Sequence, residues 1–223
     1  MRQLAAAPRA RKPGPDRRRE IADAALRVIA AQGASHFTAL AIAREVGVSD
    51  AALFRHFPTK EAIAAAAIDR VEELLFEGFP PEQADPLERL GAFFRRRVAA
   101  IRANPGIARL FACDELGQVA GAAGIARLTA FRRRSTGFVR ACLDEAERGG
   151  VLADGVGAEE AQVMVIGALL ALAHAPSAAP RPPELSERVW RTLETFLRRP
   201  AGRATAAGRR PPRSPPTRRH DQR

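Results

Sequence analysis

Eight side chains between residues 38 and 60 have the types and spacing to bind a polyanion and to read the bases that it carries. They are Thr38, Ser49, Asp50, Ala52, Phe54, Arg55, His56 and Lys60. Arg55 and His56 can reach phosphates or base edges, and Lys60 is expected at a helix start, where free amides favour phosphate. Asp50 can accept a hydrogen bond from cytosine N4, and the methyl group of Ala52 can meet that of thymine. Asp50 has an equally good alternative role, because an acidic side chain stabilises a helix N-terminus.

The elements that must position these side chains are two short helices, a tight turn between them and a third helix directly after. The predicted caps are Thr38, Ser49 and Thr59, and the predicted helices cover residues 39–45, 50–57 and 60–76. Gly47 gives the turn its backbone freedom, and Pro58 ends the second helix. This pattern is typical of a helix-turn-helix, whose second helix enters the major groove of DNA. Two alternatives stay open: Thr38 and Ser49 act as caps, phosphate contacts or both, and Phe54 stacks on sugars or packs on the preceding helix.

This segment resembles the DNA-binding domain of the TetR-type bacterial transcriptional regulators. The family pattern is Thr, Ile-Ala, Gly-Val-Ser, Leu-Tyr-x-His-Phe and Lys-Glu, in that order. The matching residues are Thr38, Ile42-Ala43, Gly47-Val48-Ser49, Leu53-Phe54-Arg55-His56-Phe57 and Lys60-Glu61. The resemblance covers the segment from about Arg18 to Ile68. Phe54 departs from the usual Tyr, which removes a hydroxyl that commonly reaches a phosphate, and Ala51 replaces a frequent Gly.

The resemblance implies an all-α fold with two domains. Residues 17–63 would form an N-terminal helix-turn-helix three-helix domain, and residues 64–199 a larger C-terminal helical effector-binding and dimerisation domain. The function implied is that of a sequence-specific, homodimeric repressor that binds a palindromic operator in double-stranded DNA and is released by a small-molecule effector. The alternative keeps the DNA-binding domain in a ligand-independent architectural or interaction protein.

The net charge of +11 resides in the two ends of the chain. Residues 1–19 and 200–223 each carry a net +6, whereas residues 20–199 sum to −1. Both ends are rich in Ala, Pro and Arg and cannot bury enough apolar surface to order themselves, so we expect a disordered basic arm over residues 1–16 and a disordered tail over 200–223. Each end either contacts phosphates or is simply solvated. We favour contact for the arm, which enters the first helix directly, and solvation for the tail.

Helical spacing and turn residues predict nine helices and no strand. Outside residues 39–76 the helices are expected over residues 17–32, 86–103, up to 110, 123–147, 158–175 and 183–198. The run from Ala161 to Ala175 is apolar on every side and must be buried, within its own chain or against a second subunit. In proteins of the TetR type the last two helices form the dimer core, and a palindrome also requires two-fold partners. The expected interface residues are Met164, Gly167, Leu170, Ala171, Val189, Trp190 and Leu193.

An effector pocket is less clearly marked in the sequence. Ligand sites between helices are mostly apolar and contain a few polar anchors. The candidates are Phe94, Arg97, Phe111, Phe131, Phe138 and His174. The alternative interpretation is that these rings, at helical spacing, form ordinary core.

No pattern in the chain indicates an enzyme, a metal site or a cofactor. There is no phosphate loop, no zinc-ligand spacing and no nucleophile elbow. Cys113 and Cys142 are expected to be free buried thiols, with a redox-sensing pair as the alternative. The N-terminus lacks the apolar core of a secretory signal, and residues 161–175 are too few to span a bilayer. We therefore expect a cytoplasmic protein with no membrane partner.

Overall fold

The computed structural model describes residues 14–112, 115–173 and 184–200, and the side chains of residues 34, 111, 112 and 115 lie outside that description. Within these ranges the protein is helical and has no β-strand, which confirms the all-α prediction. The helices are α1 (Gly14–Gln32), α2 (Ala39–Val46), α3 (Asp50–His56), α4 (Lys60–Phe76), α5 (Pro86–Ala103), α6 (Pro105–Ala112), α7 (Glu115–Val119), α8 (Gly121–Arg148), α9 (Ala158–Ala173) and α10 (Leu185–Leu197). None of these described helices is long and apolar enough to cross a membrane.

Two short elements were missed by the nine-helix prediction. A 3-10 turn over Ala34–His36 joins α1 to α2, and α7 precedes α8. Neither is long enough to show a helical period in the sequence. The predicted starts of two longer helices also differ, since α1 begins at Gly14 and α8 at Gly121.

The three predicted caps of the helix-turn-helix unit are confirmed. The amides of Ala41, Ala52 and Ala62 donate to the hydroxyls of Thr38, Ser49 and Thr59 at 3.1, 3.2 and 3.1 Å. Each such cap contributes about 1 kcal/mol to the helix that it begins. Gly47 has φ of 77°, a left-handed conformation that side chains disfavour, and its amide donates to the Ala43 carbonyl at 2.9 Å.

One hydrophobic core joins the helix-turn-helix unit to the rest of the protein. Ile21, Ile42, Leu53 and Phe57 are fully buried between α1, α2, α3 and α4. The same cluster continues through α6 and α7 into α8, where it includes Leu128 and Phe131. The predicted domain boundary after residue 63 falls within α4, and the residues on its two sides, Ile63 and Ala64, both belong to this cluster.

A second core holds α10 against α5 inside one protomer. Trp190 is 1% exposed, and its ring centroid lies 5.4 Å from that of Phe94. Gly91 permits this approach, because a Cβ there would lie 2.4 Å from Trp190 Nε1. At the end of α10, Arg198 donates to both carboxylate oxygens of Asp85, each at 2.9 Å, and Asp85 also caps α5.

From Val163 to its end α9 is apolar on every side, but its own chain covers only part of it. The helix packs on α5, α8 and α10. On the opposite side Val163, Met164 and Leu170 are 69%, 44% and 44% exposed. Full burial of this helix within the chain, one of the two alternatives for it, is therefore not found. Trp190 and Leu193, expected at a subunit interface, are instead buried in the protomer because they fill the space between α10 and α5.

Candidate nucleic-acid interface and ligand cavity

One side of α3 packs on the hydrophobic core, and the other side is exposed to solvent. Leu53 and Phe57 are fully buried, and their spacing of four residues fixes which side of the helix faces the core. All eight predicted contact residues are exposed or half-buried on this unit: Thr38, Ser49, Asp50, Ala52, Phe54, Arg55, His56 and Lys60. Phe54 is 42% exposed, so it is not buried against the preceding helix. Leu40 of α2, which sequence reasoning missed, is also exposed.

The first turn of α1 lies beside α3. A surface crevice there is lined by Gly14, Arg17, Ile21, Val48, Ala52, Arg55 and His56. Two cations from α1 and α3, Arg17 and Arg55, therefore share one surface with the proposed base reader Ala52. Of the basic arm predicted over residues 1–16, residues 1–13 lie outside the described residues, whereas residues 14–16 form the start of α1 and are not disordered as expected. The chain joins α1 at this crevice.

The start of α4, which Thr59 caps, has a cation, Lys60, and a carboxylate, Glu61, in its first turn. The ammonium group of Lys60 lies 5.8 Å from the ring centroid of the buried Phe37. The pKa of Glu61 is lowered, first by a hydrogen bond from its own backbone amide and then by one from the Thr59 hydroxyl. Because Glu61 already accepts from that amide, a phosphate at this helix start would bind chiefly to the side chain of Lys60.

A cavity of about 300 Å³ lies between α5, α6, α8 and α9. Its wall contains Phe93, Arg97, Ile101, Ala108, Arg132, Ser135, Thr136, Val139, Val165, Ile166, Leu169, Leu170 and Ala173. The volume is at the lower end of the range for small-molecule sites, and an apolar wall with a few polar groups is typical of them. The cavity therefore has the size and the composition of a ligand site.

Of the predicted effector residues, Arg97 lines this cavity. Phe94 packs on Trp190 in the second core and Phe131 is buried in the first, so both rings are used to fill the cores. Phe138 lies in an aromatic cluster beside the cavity, 5.1 Å from Phe93 between ring centroids. The side chain of Phe111 and residue His174 lie outside the described residues. Most of the wall was missed, because it consists of aliphatic residues that look like ordinary core in a sequence.

Arg97 is the most unusual of the cavity residues. It is 5% exposed, and its Cζ lies 4.8 and 4.9 Å from the ring centroids of Phe76 and Phe93. Its Nε and Nη2 atoms have no hydrogen-bond partner. Burial, and secondarily the charge of Arg134, lowers the pKa of Arg97 to about 10. The side chain is therefore still a cation at neutral pH.

α6 connects the cavity to the helix-turn-helix unit. Ala108 lines the cavity, while Gly106 on the same helix touches α1 so closely that a Cβ would lie 2.2 Å from the Leu26 carbonyl oxygen. Arg109 Nη1 also donates to the Ile29 carbonyl of α1 at 3.3 Å. A shift of α6 caused by a change in the cavity would therefore displace α1, because the two helices are in contact.

The exposed side of α9 contains four of the predicted dimer residues. They are Met164, Gly167, Leu170 and Ala171. Val163 of α9 and Phe196 of α10, 69% and 63% exposed, were not predicted. Val189 is half-buried against the second core.

The two cysteines do not form a described pair. Cys142 is a free, buried thiol, and burial raises its pKa while the Arg89 guanidinium lowers it to a smaller extent. Cys113 lies outside the described residues. In the part of the chain that the structure describes, no three His, Cys, Asp or Glu side chains are grouped so that they could hold a metal ion.

The sequence and the fold both resemble known regulators. Residues 21–67 match the family described as "Bacterial regulatory proteins, tetR family". The nucleoid occlusion factor SlmA of Vibrio vulnificus (strain YJ016) is 37% identical over 99 residues, which are 43% of this chain and 50% of SlmA. The chain thus matches about half the length of this relative.

Two solved structures share the fold over most of the chain. The ketosteroid transcriptional regulator KstR2 of Mycobacterium tuberculosis has a TM-score of 0.70 and 16% identity, over 82% of this chain and 96% of KstR2. AibR, solved in complex with isovaleryl coenzyme A and operator DNA, has a TM-score of 0.66 and 20% identity, over 82% of this chain and 99% of AibR. At these identities the likeness concerns the fold alone.

Proposed function

Because the chain belongs, through residues 21–67, to the tetR family of bacterial regulatory proteins, we propose that it is a sequence-specific transcriptional regulator. In this proposal it acts in the cytoplasm as a homodimeric repressor on a palindromic operator, and a small-molecule effector releases it. The observation that carries the proposal is the exposed side of α3, fixed by the buried Leu53 and Phe57, with Arg55 on the helix itself and Arg17 of α1 beside it.

In the proposed complex α3 lies in the major groove. Asp50 and Ala52, in its first turn, contact base edges, as the N-terminal residues of a recognition helix do. The remaining side chains contact phosphates and sugars and position the helix without reading the sequence. They are Thr38, Ser49, Phe54, Arg55, His56 and Lys60. The basic arm follows the DNA backbone from the start of α1.

The two kinds of contact are separated by measuring affinity for an operator and for an unrelated duplex. Lys60→Ala should weaken both about equally and should reduce the salt dependence by about one phosphate. Deleting residues 2–15 should flatten the salt dependence further. Arg188→Ala, which removes an exposed cation from α10, serves as the control and should change neither affinity. Unchanged binding by both the Lys60 variant and the truncated chain would contradict this arrangement of phosphate contacts.

A dimer formed through α9 is supported by its uncovered apolar side. Val163, Met164 and Leu170 present large apolar side chains to solvent, and Gly167 and Ala171 between them allow a second helix to approach closely. A contiguous exposed apolar patch on a folded protein commonly marks a subunit interface. Two copies joined in this way would present two α3 helices to the two halves of a palindrome.

Release by an effector is supported by the cavity and by its connection through α6. A ligand that packs against Ala108 on α6 acts on the helix that touches α1 at Gly106. Since α1 packs on α2, α3 and α4, a displacement of α1 changes the distance between the two α3 helices of a dimer. Operator affinity would then depend on whether the cavity is filled, which is an allosteric coupling between two sites.

A second candidate function is suggested by the relative named nucleoid occlusion factor SlmA. Under this alternative the protein binds DNA as a platform for other partners and needs no effector. A thermal-shift screen with small metabolites distinguishes the two, because a ligand that binds the folded state raises its melting temperature. Compounds that raise the melting temperature and weaken operator binding support the repressor. Compounds that do neither, tested with DNA binding intact, favour the ligand-independent protein.

A further inference from the structure

The guanidinium group of Arg97 is buried and has no acidic partner among the described residues. Arg97 is 5% exposed, and no acidic side chain among the described residues pairs with it. The rings of Phe76 and Phe93 contact it and provide a cation–π attraction. Aromatic rings of this kind do not satisfy the in-plane N–H groups, and two of the nitrogens, Nε and Nη2, remain without a hydrogen-bond partner.

This arrangement is unfavourable for the ligand-free protein. A buried charge without a partner destabilises a fold, and an apolar side chain of similar volume in its place is often neutral or stabilising. Other arginines of the same helix do have partners: Arg95 pairs with Glu187 at 3.5 Å, and Arg96 donates to the Gly78 carbonyl at 2.6 Å. The absence of a partner at Arg97 would be accounted for if the partner is an anionic group of a ligand, present only when that ligand is bound.

The position of Arg97 in the cavity defines the shape of such a ligand. Phe93, Arg97 and Ile101 are spaced by four residues and form the stripe of α5 that lines the cavity. Val165 and Leu169 line it from α9 and are apolar. Among the described residues of the wall Arg97 is the only buried cation, since Arg132 of α8 is half-buried. Arg97 is thus flanked by apolar groups of its own helix and faced by apolar groups of α9. A ligand that fits has one anionic group on an apolar body.

The edge of the guanidinium group that lacks partners favours one anion in particular. Nε and Nη2 lie on the same edge of an arginine and donate in parallel, which matches the two oxygens of a carboxylate. We propose that the cavity binds a small amphipathic carboxylate, whose two oxygens pair with Arg97 and whose apolar body packs against α9. Both nitrogens are closed off from water, so neighbouring side chains must shift when the carboxylate binds, as side chains at binding sites commonly do.

This inference extends the proposed function by naming the chemical class of the effector, and it rests on that function only for the claim that the ligand controls DNA binding. The same anionic chemistry can come from a phosphate ester, or from an acyl thioester whose phosphates lie away from the acyl chain. Because the unpaired edge holds two parallel donors beside an apolar wall, we assign the ligand as a free carboxylate. The phosphate ester and the acyl thioester are included in the test as alternatives.

The test measures binding by the full chain with calorimetry and thermal shift. The probes are hexanoate, octanoate and decanoate, with methyl octanoate, octyl phosphate and octanoyl coenzyme A as comparisons. The variants are Arg97→Met, which keeps most of the side-chain volume and removes the charge, and Arg97→Lys, which keeps the charge and removes the pair of parallel donors. Arg95→Met is the matched control, because it removes an exposed cation from the same helix.

We expect at least one of the three carboxylates to bind and to raise the melting temperature of the natural chain and of the Arg95→Met variant. Arg97→Met should lose at least about tenfold in affinity, and Arg97→Lys should lose less. Without ligand, Arg97→Met should melt at or above the temperature of the natural chain. A purely structural arginine gives the reverse pattern, in which Arg97→Met melts lower and binds the carboxylates as before.

Three results would overturn the assignment. They are binding of methyl octanoate as tight as that of octanoate, tighter binding of octyl phosphate or octanoyl coenzyme A than of any carboxylate, and no binding of the three carboxylates. Operator affinity measured without ligand separates this test from that of the proposed function. A chain that binds carboxylate through Arg97 but not DNA would contradict the regulator and leave the ligand assignment supported.

Discussion

Gly106 is the position at which a single methyl group should test the contact between α6 and α1. A Cβ at this position would lie 2.2 Å from the carbonyl oxygen of Leu26 and 3.0 Å from its carbonyl carbon. Since both are backbone atoms, no side-chain rotation can relieve the overlap, and the two helices must separate by about 1 Å. Overpacking of this kind costs about 1–3 kcal/mol, and a backbone obstacle places the cost near the upper end.

Part of this cost is offset because alanine is a better helix former than glycine by up to about 1 kcal/mol. We therefore expect Gly106→Ala to lower the free energy of unfolding by about 2 kcal/mol, which corresponds to about 4–8 °C in melting temperature for a chain of this size. The matched control is Gly137→Ala in α8, where a Cβ would meet no atom within 4 Å. The free energy of unfolding of that variant should be higher than that of the natural chain by up to about 1 kcal/mol.

The measurement is urea or thermal unfolding of both variants beside the natural chain, followed by operator affinity. Because α6 is the connection between cavity and α1, Gly106→Ala should also weaken operator binding, whereas Gly137→Ala should not. If Gly106→Ala unfolds at the same temperature as the control or above it, α6 does not lie against α1 as described. The argument for coupling through this helix would then be refuted.

Three further changes test other parts of the structure. Arg198 lowers the pKa of Asp85 to about 2 through its hydrogen bonds, so Arg198→Met should cost about 1–2 kcal/mol of stability at neutral pH. That difference should shrink as the pH falls below about 4 and be largely lost only below about 2, where Asp85 is protonated in the folded and the unfolded chain, which urea unfolding at several pH values measures; a difference that keeps its neutral-pH size below pH 2 would contradict it. Met164→Arg should yield monomers in sedimentation and weaken operator binding, and a Met164 variant that remains dimeric would exclude this side of α9 as the interface. Phe54→Tyr restores a hydroxyl at the DNA surface and should tighten binding to specific and unrelated duplexes alike by about fivefold, and an unchanged affinity would place Phe54 away from the backbone.

The helix-turn-helix unit could be predicted from sequence because its signals are local. Each cap hydroxyl bonds an amide three residues away, and Gly47 adopts its left-handed conformation within the turn that it was expected to form. Such interactions involve neighbours in the chain, so residue type and spacing are sufficient evidence. The contact roles of the eight exposed side chains remain a proposal, because they depend on DNA.

The remaining features depend on which side of a helix meets which partner. Trp190 was expected between subunits because the last two helices form the dimer core in proteins of the TetR type, but Gly91 creates space for it within the protomer. The sequence Asn104-Pro105-Gly106 is typical of a turn, whereas in the structure Gly106 lets two helix backbones touch. The cavity could not be predicted because residues such as Val139 and Leu169 are as suitable for a packed core as for a ligand wall.

Selection of DNA from a random pool by the purified chain tests the central claim most directly. We expect an inverted repeat whose half-sites are centred about ten base pairs, or a multiple of that, apart, as a two-fold dimer requires. Asp50→Ala and Ala52→Ser should change the bases preferred within each half-site, and Lys60→Ala should weaken selection without changing the preferred bases. A pool with no enriched sequence, or the same sequence selected by the natural chain and by both α3 variants, would contradict the assignment of α3 as the reader of DNA.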